Sequence, residues 1–220
     1  MKPIVISVGG SIINPKTVDK NFLKQLKFLI LKFKTRKIVI CAGGGFIARD
    51  YINALKDQNE YTRDLVGIEC TRLNAKLLAS HIQKCNQEIP TTLEEVKDML
   101  HSYNLVICGG LRPGTTSDGT SAAIAEYIDA SMLINMTNVI GLYTKDPNKH
   151  KSAKLIPKLT HKEFKGIIDK VKERPGQHFV LDSLAAKITR NANIQVAILK
   201  GITNLEKCIK GQPFKGTKIH

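Results

Sequence analysis

Residues 38–51 read Ile-Val-Ile-Cys-Ala-Gly-Gly-Gly-Phe-Ile-Ala-Arg-Asp-Tyr, which is five apolar residues followed by three glycines. A short, continuous apolar run predicts a strand buried on both faces, as in a parallel sheet. Glycines permit a tight turn and a close backbone approach. Ile47, Tyr51 and Leu55 then recur at helical spacing. The stretch therefore predicts a strand, a glycine turn and a helix in immediate succession.

The same arrangement occurs at two other places in the chain. The apolar run 4–8 ends in Gly9-Gly10-Ser11, and the run 105–108 ends in Gly109-Gly110. Ligands of open parallel sheets bind beyond the carboxyl ends of the strands, and glycine N–H groups at a helix start attract anions. One such cluster is usually only a tight turn, but three of them predict a site for a large polyanionic ligand.

The remaining pattern continues the alternation of helices and strands. Residue 19 is placed to cap a first helix, and a long helix is predicted from about residue 64 to 84. Later helices are predicted at 120–127, 162–172, 182–192 and 205–209, and strands at 132–136, 154–157 and 195–199. No linker or internal repeat is visible, so we expect one α/β domain over residues 1–220.

Composition limits the class of protein. The chain is 42% hydrophobic, which is enough for a core, but it has no apolar run near the roughly 20 residues that span a bilayer. The first apolar run is too short for a signal peptide. The five cysteines show no C-x-x-C spacing and are typical of reduced thiols. We therefore expect a cytoplasmic protein without a membrane partner.

The net charge of +15 raises the alternative of a nucleic-acid-binding protein. Most of the excess is lysine spread along helices and loops, and aromatic residues make up only 5%. Basic and aromatic residues are not interleaved as in a single-strand binding surface. A solvated lysine-rich surface is favoured, so nucleic acid is an unlikely partner, although the charge could help to collect anionic nucleotides.

Several catalytic motifs are excluded. Residues 10–17 approach a P-loop, but Pro15 stands where the second glycine is required and has no N–H for a phosphate. The G-x-G-x-x-G and Gly-x-Ser-x-Gly motifs are absent. The histidines show no metal-ligand spacing, and no protein metal site is predicted. Direct transfer between two bound anions fits better than covalent catalysis.

Two further features are candidates for phosphate or substrate contacts. Arg49, one turn after Gly45, could reach a phosphate held by the glycines, or it could be a surface arginine beside Asp50. The segment 111–118, Leu-Arg-Pro-Gly-Thr-Thr-Ser-Asp, is a hydroxyl-rich turn. It could bind substrate, and Ser117 or Asp118 could cap the next helix.

Taken together, the motifs resemble the amino-acid-kinase superfamily, and the resemblance covers nearly the whole chain. The segments that carry it are V-G-G-S at 8–11, A-G-G-G-F-I-A-R-D-Y at 42–51, T-R-L-N-A at 71–75, G-G-L-R-P-G-T-T-S-D at 109–118 and T-N-V-I-G-L-Y at 137–143. The segment L-D-S-L-A-A-K at 181–187 resembles the archaeal uridylate kinase branch in particular.

The resemblance implies a three-layer αβα sandwich with a mainly parallel open sheet, which transfers the γ-phosphoryl of ATP to UMP with Mg²⁺. It implies Arg49 as the catalytic cation near the transferred group. The residues implied for ATP are Ser7, Val8, Gly9, Gly10, Ser11, Gly45, Arg49, Thr137, Asn138, Tyr143 and Asp146. Those implied for UMP are Gly44, Asp64, Leu111, Arg112, Pro113, Gly114, Thr115, Thr116 and Ser117. The family also implies a homohexamer built as a trimer of dimers.

The chain departs from the family pattern at three places. Ser7 stands where many superfamily members carry lysine, Ile140 stands where an acidic residue is usual, and 177–179 replaces a serine-rich stretch. Lys145 and Lys187 are candidate compensating cations. Two alternatives remain: a kinase of the same fold for another small phosphate, such as isopentenyl phosphate, and a non-catalytic nucleotide-binding or nucleic-acid-binding regulator. The former is expected to show a histidine near the triple glycine, and this stretch has none.

Overall fold

The computed structural model of the chain describes residues 1–145, 147, 150–169 and 181–220. Within these ranges the strands are β1 (Ile4–Val8), β2 (Ile38–Ala42), β3 (Leu105–Cys108), β4 (Met132–Met136), β5 (Lys158–Leu159), β6 (Gln195–Leu199) and β7 (Gly216–Ile219). The helices are α1 (Gly10–Ile13), α2 (Lys20–Ile30), α3 (Gly45–Ala54), α4 (Glu60–Ile82), α5 (Leu93–Ser102), α6 (Ser117–Tyr127), α7 (His161–Ile168), α8 (Ser183–Asn191) and α9 (Ile202–Ile209).

The strands form one sheet in the order β3-β2-β1-β4-β6-β7-β5. Neighbouring strands from β3 to β6 are parallel, and β7 runs antiparallel to β6. All the glycine turns therefore lie at one edge of the sheet. The strand order reverses between β1 and β4, which creates the crevice in which ligands of open α/β sheets bind.

Each face of the sheet has its own hydrophobic core. Ile4, Ile6 and Val8 of β1 pack on the face covered by α2, α4 and α9. Val5 packs on the opposite face, under α5, α6, α7 and α8. Because both faces are covered, the strands are apolar throughout rather than alternating. The predicted three-layer αβα sandwich with a mainly parallel sheet is thereby confirmed.

Five predicted strands match β1, β2, β3, β4 and β6, but three helices begin at least three residues earlier than predicted: α4, α6 and α9, the last at Ile202 rather than near residue 205. Helix α4 begins at Glu60 because the Asn59 side chain accepts a hydrogen bond from the Thr62 N–H (2.8 Å), so Asp64 lies one turn inside the helix. Helix α6 begins before residue 120, at Ser117. Its cap is Thr116, which accepts from the Gly119 N–H (3.0 Å), and the expectation of a cap at Ser117 or Asp118 is wrong.

The second half of the chain differs more from the predicted elements. The predicted strand at 154–157 makes a single bridge, between Leu155 and Tyr143, and the paired strand is β5. The short strand β7 has no counterpart among the predicted elements, and in the first half of the chain helix α5 has none. The end of the predicted helix 162–172 and the stretch 177–179 lie outside the described residues. No helix among those described is long and apolar enough to cross a membrane.

Candidate active site

The glycine turns after β1 and β2 are in direct backbone contact. A Cβ atom on Gly10 would lie 2.0 Å from the backbone nitrogen of Gly45, and one on Gly45 would lie 2.4 Å from the Gly10 carbonyl oxygen. Gly45 also has a φ of 68°, in the left-handed region that side chains disfavour. Neither position has room for a side chain. The two turns therefore form one continuous backbone surface at the edge of the sheet.

The turn after β1 also contacts β4, across the crevice between these strands. The Gly9 N–H donates to the carbonyl of Met136 (2.9 Å). On the other side, the Gly43 N–H donates to the carbonyl of Val8 (2.9 Å). The segment 7–11 that is predicted to hold phosphate thus lies at the point where the strand order reverses.

A polar row crosses the sheet just before these turns. Ser7 of β1 is the register partner of Asn135 of β4. Asp118, in the first turn of α6, accepts hydrogen bonds from the Ser7 hydroxyl (3.0 Å) and the Asn135 amide (3.1 Å). The sequence pattern indicates only a helix cap at Asp118, because its partners lie 111 and 17 residues away in the chain. The sequence signal for such a partner is that each of two buried strands contains a polar residue, Ser7 in β1 and Asn135 in β4.

The environment of Asp118 favours its neutral form. Burial raises its pKa to about 6, and the nearby Asp182 carboxylate acts in the same direction, against the hydrogen bonds from Ser7 and Asn135. Asp182 caps α8 by accepting from the Ala185 N–H (2.7 Å), and it also accepts from the Thr116 hydroxyl. The loop before α6 and the start of α8 are thereby held beside Asp118.

We expect Asp118 to make the protein less stable as the pH rises from about 4 to 7. With its pKa raised from 3.8 to about 6, the carboxyl binds its proton more tightly in the folded chain, and that stabilisation is lost as the folded group ionises. Urea denaturation of the wild type and Asp118→Asn should therefore show the wild type losing about 2 kcal/mol relative to the variant between about pH 4.5 and 7.5. Parallel pH profiles for the two proteins would contradict this assignment.

The loop between β3 and α6 is attached to helix α4. The Gly114 N–H donates to the Asp64 carboxylate (2.6 Å), and Gly114 has a φ of 75°. The Thr115 hydroxyl donates to the carbonyl of Arg112 (2.7 Å). The structure therefore brings together the loop 111–117 and Asp64, which the family resemblance assigns to the same ligand.

Arg49 lies on α3, on the second turn after the triple glycine, and is exposed. Within the described ranges no carboxylate lies within 4.0 Å of its guanidinium, so the ion pair with Asp50 that would explain it as a surface residue is not formed. The other candidate cations, Lys145 and Lys187, are exposed as well.

The residues assigned to the ATP nucleoside follow β4. The Thr137 N–H donates to the carbonyl of Leu199 (3.0 Å), which holds the start of this segment against β6. The Thr137 hydroxyl lies 3.4 Å from the Asn138 side-chain oxygen. Tyr143 is half-buried and pairs with Leu155. Asp146, assigned to the same site, lies outside the described residues.

The described residues contain no group of three or more His, Cys, Asp or Glu side chains that could hold a metal ion. Magnesium in nucleotide sites keeps several waters and binds mainly to phosphates, with one or two carboxylates. Two carboxylates of the site, Asp118 and Asp182, lie close enough for the charge of Asp182 to raise the pKa of Asp118. The site is therefore compatible with a magnesium ion that enters on a nucleotide.

Comparison with known proteins identifies the family. The model of the amino acid kinase family matches residues 2–200. The uridylate kinase of Methanococcus aeolicus is 37% identical over 222 residues, covering 99% of each chain. That of Thermoplasma volcanium is 35% identical over 219 residues, covering 98% of this chain and 96% of its own.

Solved structures show the same relationship. The crystal structure of uridylate kinase from Archaeoglobus fulgidus superposes with a TM-score of 0.91 at 33% identity and covers all of both chains. UMP kinase from Bacillus anthracis has a TM-score of 0.81 at 18% identity, which shows a shared fold. The chain therefore belongs to the amino acid kinase family, and its relatives within that family include the archaeal uridylate kinases.

Proposed function

We propose that the chain is a uridylate kinase, which transfers the γ-phosphoryl of ATP to UMP and produces UDP and ADP for pyrimidine nucleotide (CTP) synthesis. The observation that carries the proposal is the backbone contact between the Gly10 and Gly45 turns, beside an exposed Arg49 that has no carboxylate partner among the described residues. This arrangement suits two phosphate groups held close together. The relatives from Thermoplasma volcanium, Methanococcus aeolicus and Archaeoglobus fulgidus are named uridylate kinase, which supports the substrate.

The transfer requires positioning and charge neutralisation rather than a covalent intermediate. An oxygen of the UMP phosphate attacks the γ-phosphorus, and the bond to the bridging oxygen of ADP breaks. A phosphate monoester with a second pKa of about 6 is already largely a dianion at neutral pH, so no general base is needed. Magnesium bound to ATP would neutralise part of the phosphate charge. The chain contributes backbone N–H groups from the glycine turns and the Arg49 cation.

We assign the two substrates to the two sides of the interlocked turns. The ATP side comprises residues 7–11, Gly45, Arg49, Thr137, Asn138, Tyr143 and Asp146. The UMP side comprises Gly44, Asp64 and the loop 111–117. The contact between Asp64 and the Gly114 N–H supports grouping these UMP residues into one site.

A phosphoryl-acceptor screen with ATP and magnesium tests the proposal. Purified protein should form ADP and UDP from UMP, with CMP and AMP as much poorer acceptors. The panel includes isopentenyl phosphate and small carboxylic acids, because kinases of this fold use such acceptors. Turnover with a non-nucleotide acceptor alone would overturn the assignment. Absence of any turnover would favour a non-catalytic nucleotide-binding regulator.

Asp64→Ala should raise the KM for UMP about tenfold and leave the KM for ATP nearly unchanged. A carboxylate can accept hydrogen bonds from both ribose hydroxyls, and it also holds the Gly114 N–H of the acceptor loop. For the same reason dUMP should be a poorer acceptor than UMP for the wild type. A variant with equal KM changes for the two nucleotides would show that Asp64 acts only through stability.

We further propose a single domain over residues 1–220, located in the cytoplasm, that assembles as a homohexamer. Three large apolar side chains of α4 are exposed and could be covered by another copy: Tyr61 (63%), Leu65 (42%) and Leu73 (56%). Exposed apolar patches of this kind mark association surfaces. Light scattering should find a mass several times 24.4 kDa, and a stable monomer would contradict the assembly.

A further inference from the structure

The buried side chain of Asn74, on helix α4, bonds to the triple-glycine turn. Its amide nitrogen lies 2.8 Å from the carbonyl oxygen of Gly43 and 3.0 Å from that of Gly44. The residue is 3% exposed. Two carbonyls can only be satisfied by an NH₂ group, which has two hydrogens to donate, and this determines the orientation of the amide.

These two hydrogen bonds determine where the neighbouring N–H groups point. In a planar trans peptide the C=O of one residue and the N–H of the next are directed oppositely. Because the carbonyls of Gly43 and Gly44 face Asn74, the N–H groups of Gly44 and Gly45 face away from α4. Among the described residues, none accepts a hydrogen bond from either of these N–H groups. They are therefore oriented away from α4 and keep their hydrogen-bonding capacity.

Helix α4 also holds the glycine turn that follows β3, through Thr71, which lies one helical turn before Asn74. The Thr71 hydroxyl accepts from the Gly110 N–H (2.5 Å) and donates to the carbonyl of Ile68 (2.6 Å). A Cβ on Gly109 would lie 2.7 Å from the backbone nitrogen of Arg72, so this turn touches the helix directly. The glycine turns that follow β2 and β3 are thus attached to Asn74 and Thr71, which lie one turn apart on the same helix.

We infer that Asn74 is a positioning residue for phosphoryl transfer, which directs the N–H groups of Gly44 and Gly45 toward the reacting phosphates while Thr71 holds the acceptor loop on the same helix. The inference rests on the proposed function for its substrates. Preorganised donors of this kind stabilise charge in the transition state because they need no reorientation during the reaction. Helix α4 then sets the spacing between the triple-glycine turn and the acceptor loop.

The test compares Asn74→Leu with Asn86→Leu as a matched control. Asn86 is also a buried asparagine (1% exposed), but it bonds to Ile107 within β3 rather than to the triple-glycine turn. Leucine is close in size to asparagine and removes the donors. We expect Asn74→Leu to lower kcat roughly 10- to 100-fold and to weaken equilibrium binding of ATP, whereas folded Asn86→Leu should lose stability and keep kcat and ATP affinity.

Asn74→Asp adds a readout that a purely structural role would not change. A neutral carboxyl has one O–H and can donate to one of the two carbonyls, whereas the carboxylate can donate to neither. Its activity relative to the wild type should therefore rise as the pH falls from about 8 to 6, because burial without a partner raises a carboxyl pKa. A flat ratio, or unchanged kcat in folded Asn74→Leu, would overturn the inference.

The failure of the proposed function would be distinguishable from the failure of this inference. If the wild type does not phosphorylate UMP, the substrate assignment fails. ATP affinity, measured by calorimetry without acceptor, still tests Asn74, because the Gly45 N–H is assigned to the ATP side and needs no UMP. Equal ATP affinities for the wild type and Asn74→Leu would then count against the inference itself.

Discussion

Arg49→Ala is expected to lower kcat about a thousandfold or more while changing UMP binding much less. The UMP phosphate and the γ-phosphate of ATP are both anions, and their repulsion must be offset where they meet. The first strand carries Ser7 rather than a lysine, and the Ser7 hydroxyl is engaged with Asp118. Arg49 is therefore the best-placed fixed cation, beside the glycine turns and without a carboxylate partner among the described residues.

Two further variants sharpen the Arg49 experiment. Arg49→Lys should recover only part of the loss, because a point charge does not reproduce the bidentate guanidinium fork. Arg36→Ala serves as the control, since Arg36 precedes β2 at the opposite edge of the sheet and contacts Met1. Steady-state kcat and KM for both nucleotides are measured for each. A folded Arg49→Ala protein with near-wild-type kcat would direct the search to Lys145 and Lys187.

Gly10→Ala is expected to lower turnover at least about a hundredfold. The new Cβ would lie 2.0 Å from the Gly45 nitrogen, where ordinary contact begins near 3.4 Å, so the two turns must separate by more than an ångström. A misplacement of about 1 Å between reacting groups can by itself cost about a hundredfold in rate. Overpacking should also lower the free energy of unfolding by about 1–3 kcal/mol.

Gly166→Ala is the matched control for this substitution. Gly166 lies in α7, and a Cβ there would meet no atom within 4 Å. Alanine should stabilise the helix by about 0.5–1 kcal/mol and leave kcat unchanged. Thermal denaturation and steady-state turnover on the same samples separate the two effects. Full activity in Gly10→Ala would show that contact between the turns is not required for transfer.

The sequence is informative wherever a local pattern determines the structure. The strands of the parallel core are short and wholly apolar because both faces are buried, so β1, β2 and β3 are predicted residue for residue. Glycine is needed at the strand ends because the backbones touch there, so the contact between these turns is also visible in the sequence. Helix boundaries are harder, because they depend on which side chain forms the cap. Asn59 and Thr116 form the caps of α4 and α6, but nearby polar side chains are equally plausible caps in the sequence.

What the sequence alone determined is thus the α/β class, the covered parallel sheet, the glycine turns at strand ends and the family resemblance. The structure alone decided which residues meet. Asp118 bonds to Ser7 from 111 residues away, and Asn74 bonds to Gly43 from 31 residues away. The physical reason is that apolar periodicity and turn chemistry act over a few neighbouring residues, whereas side-chain hydrogen bonds across the core depend on strand order and helix packing. Only the folded chain specifies those.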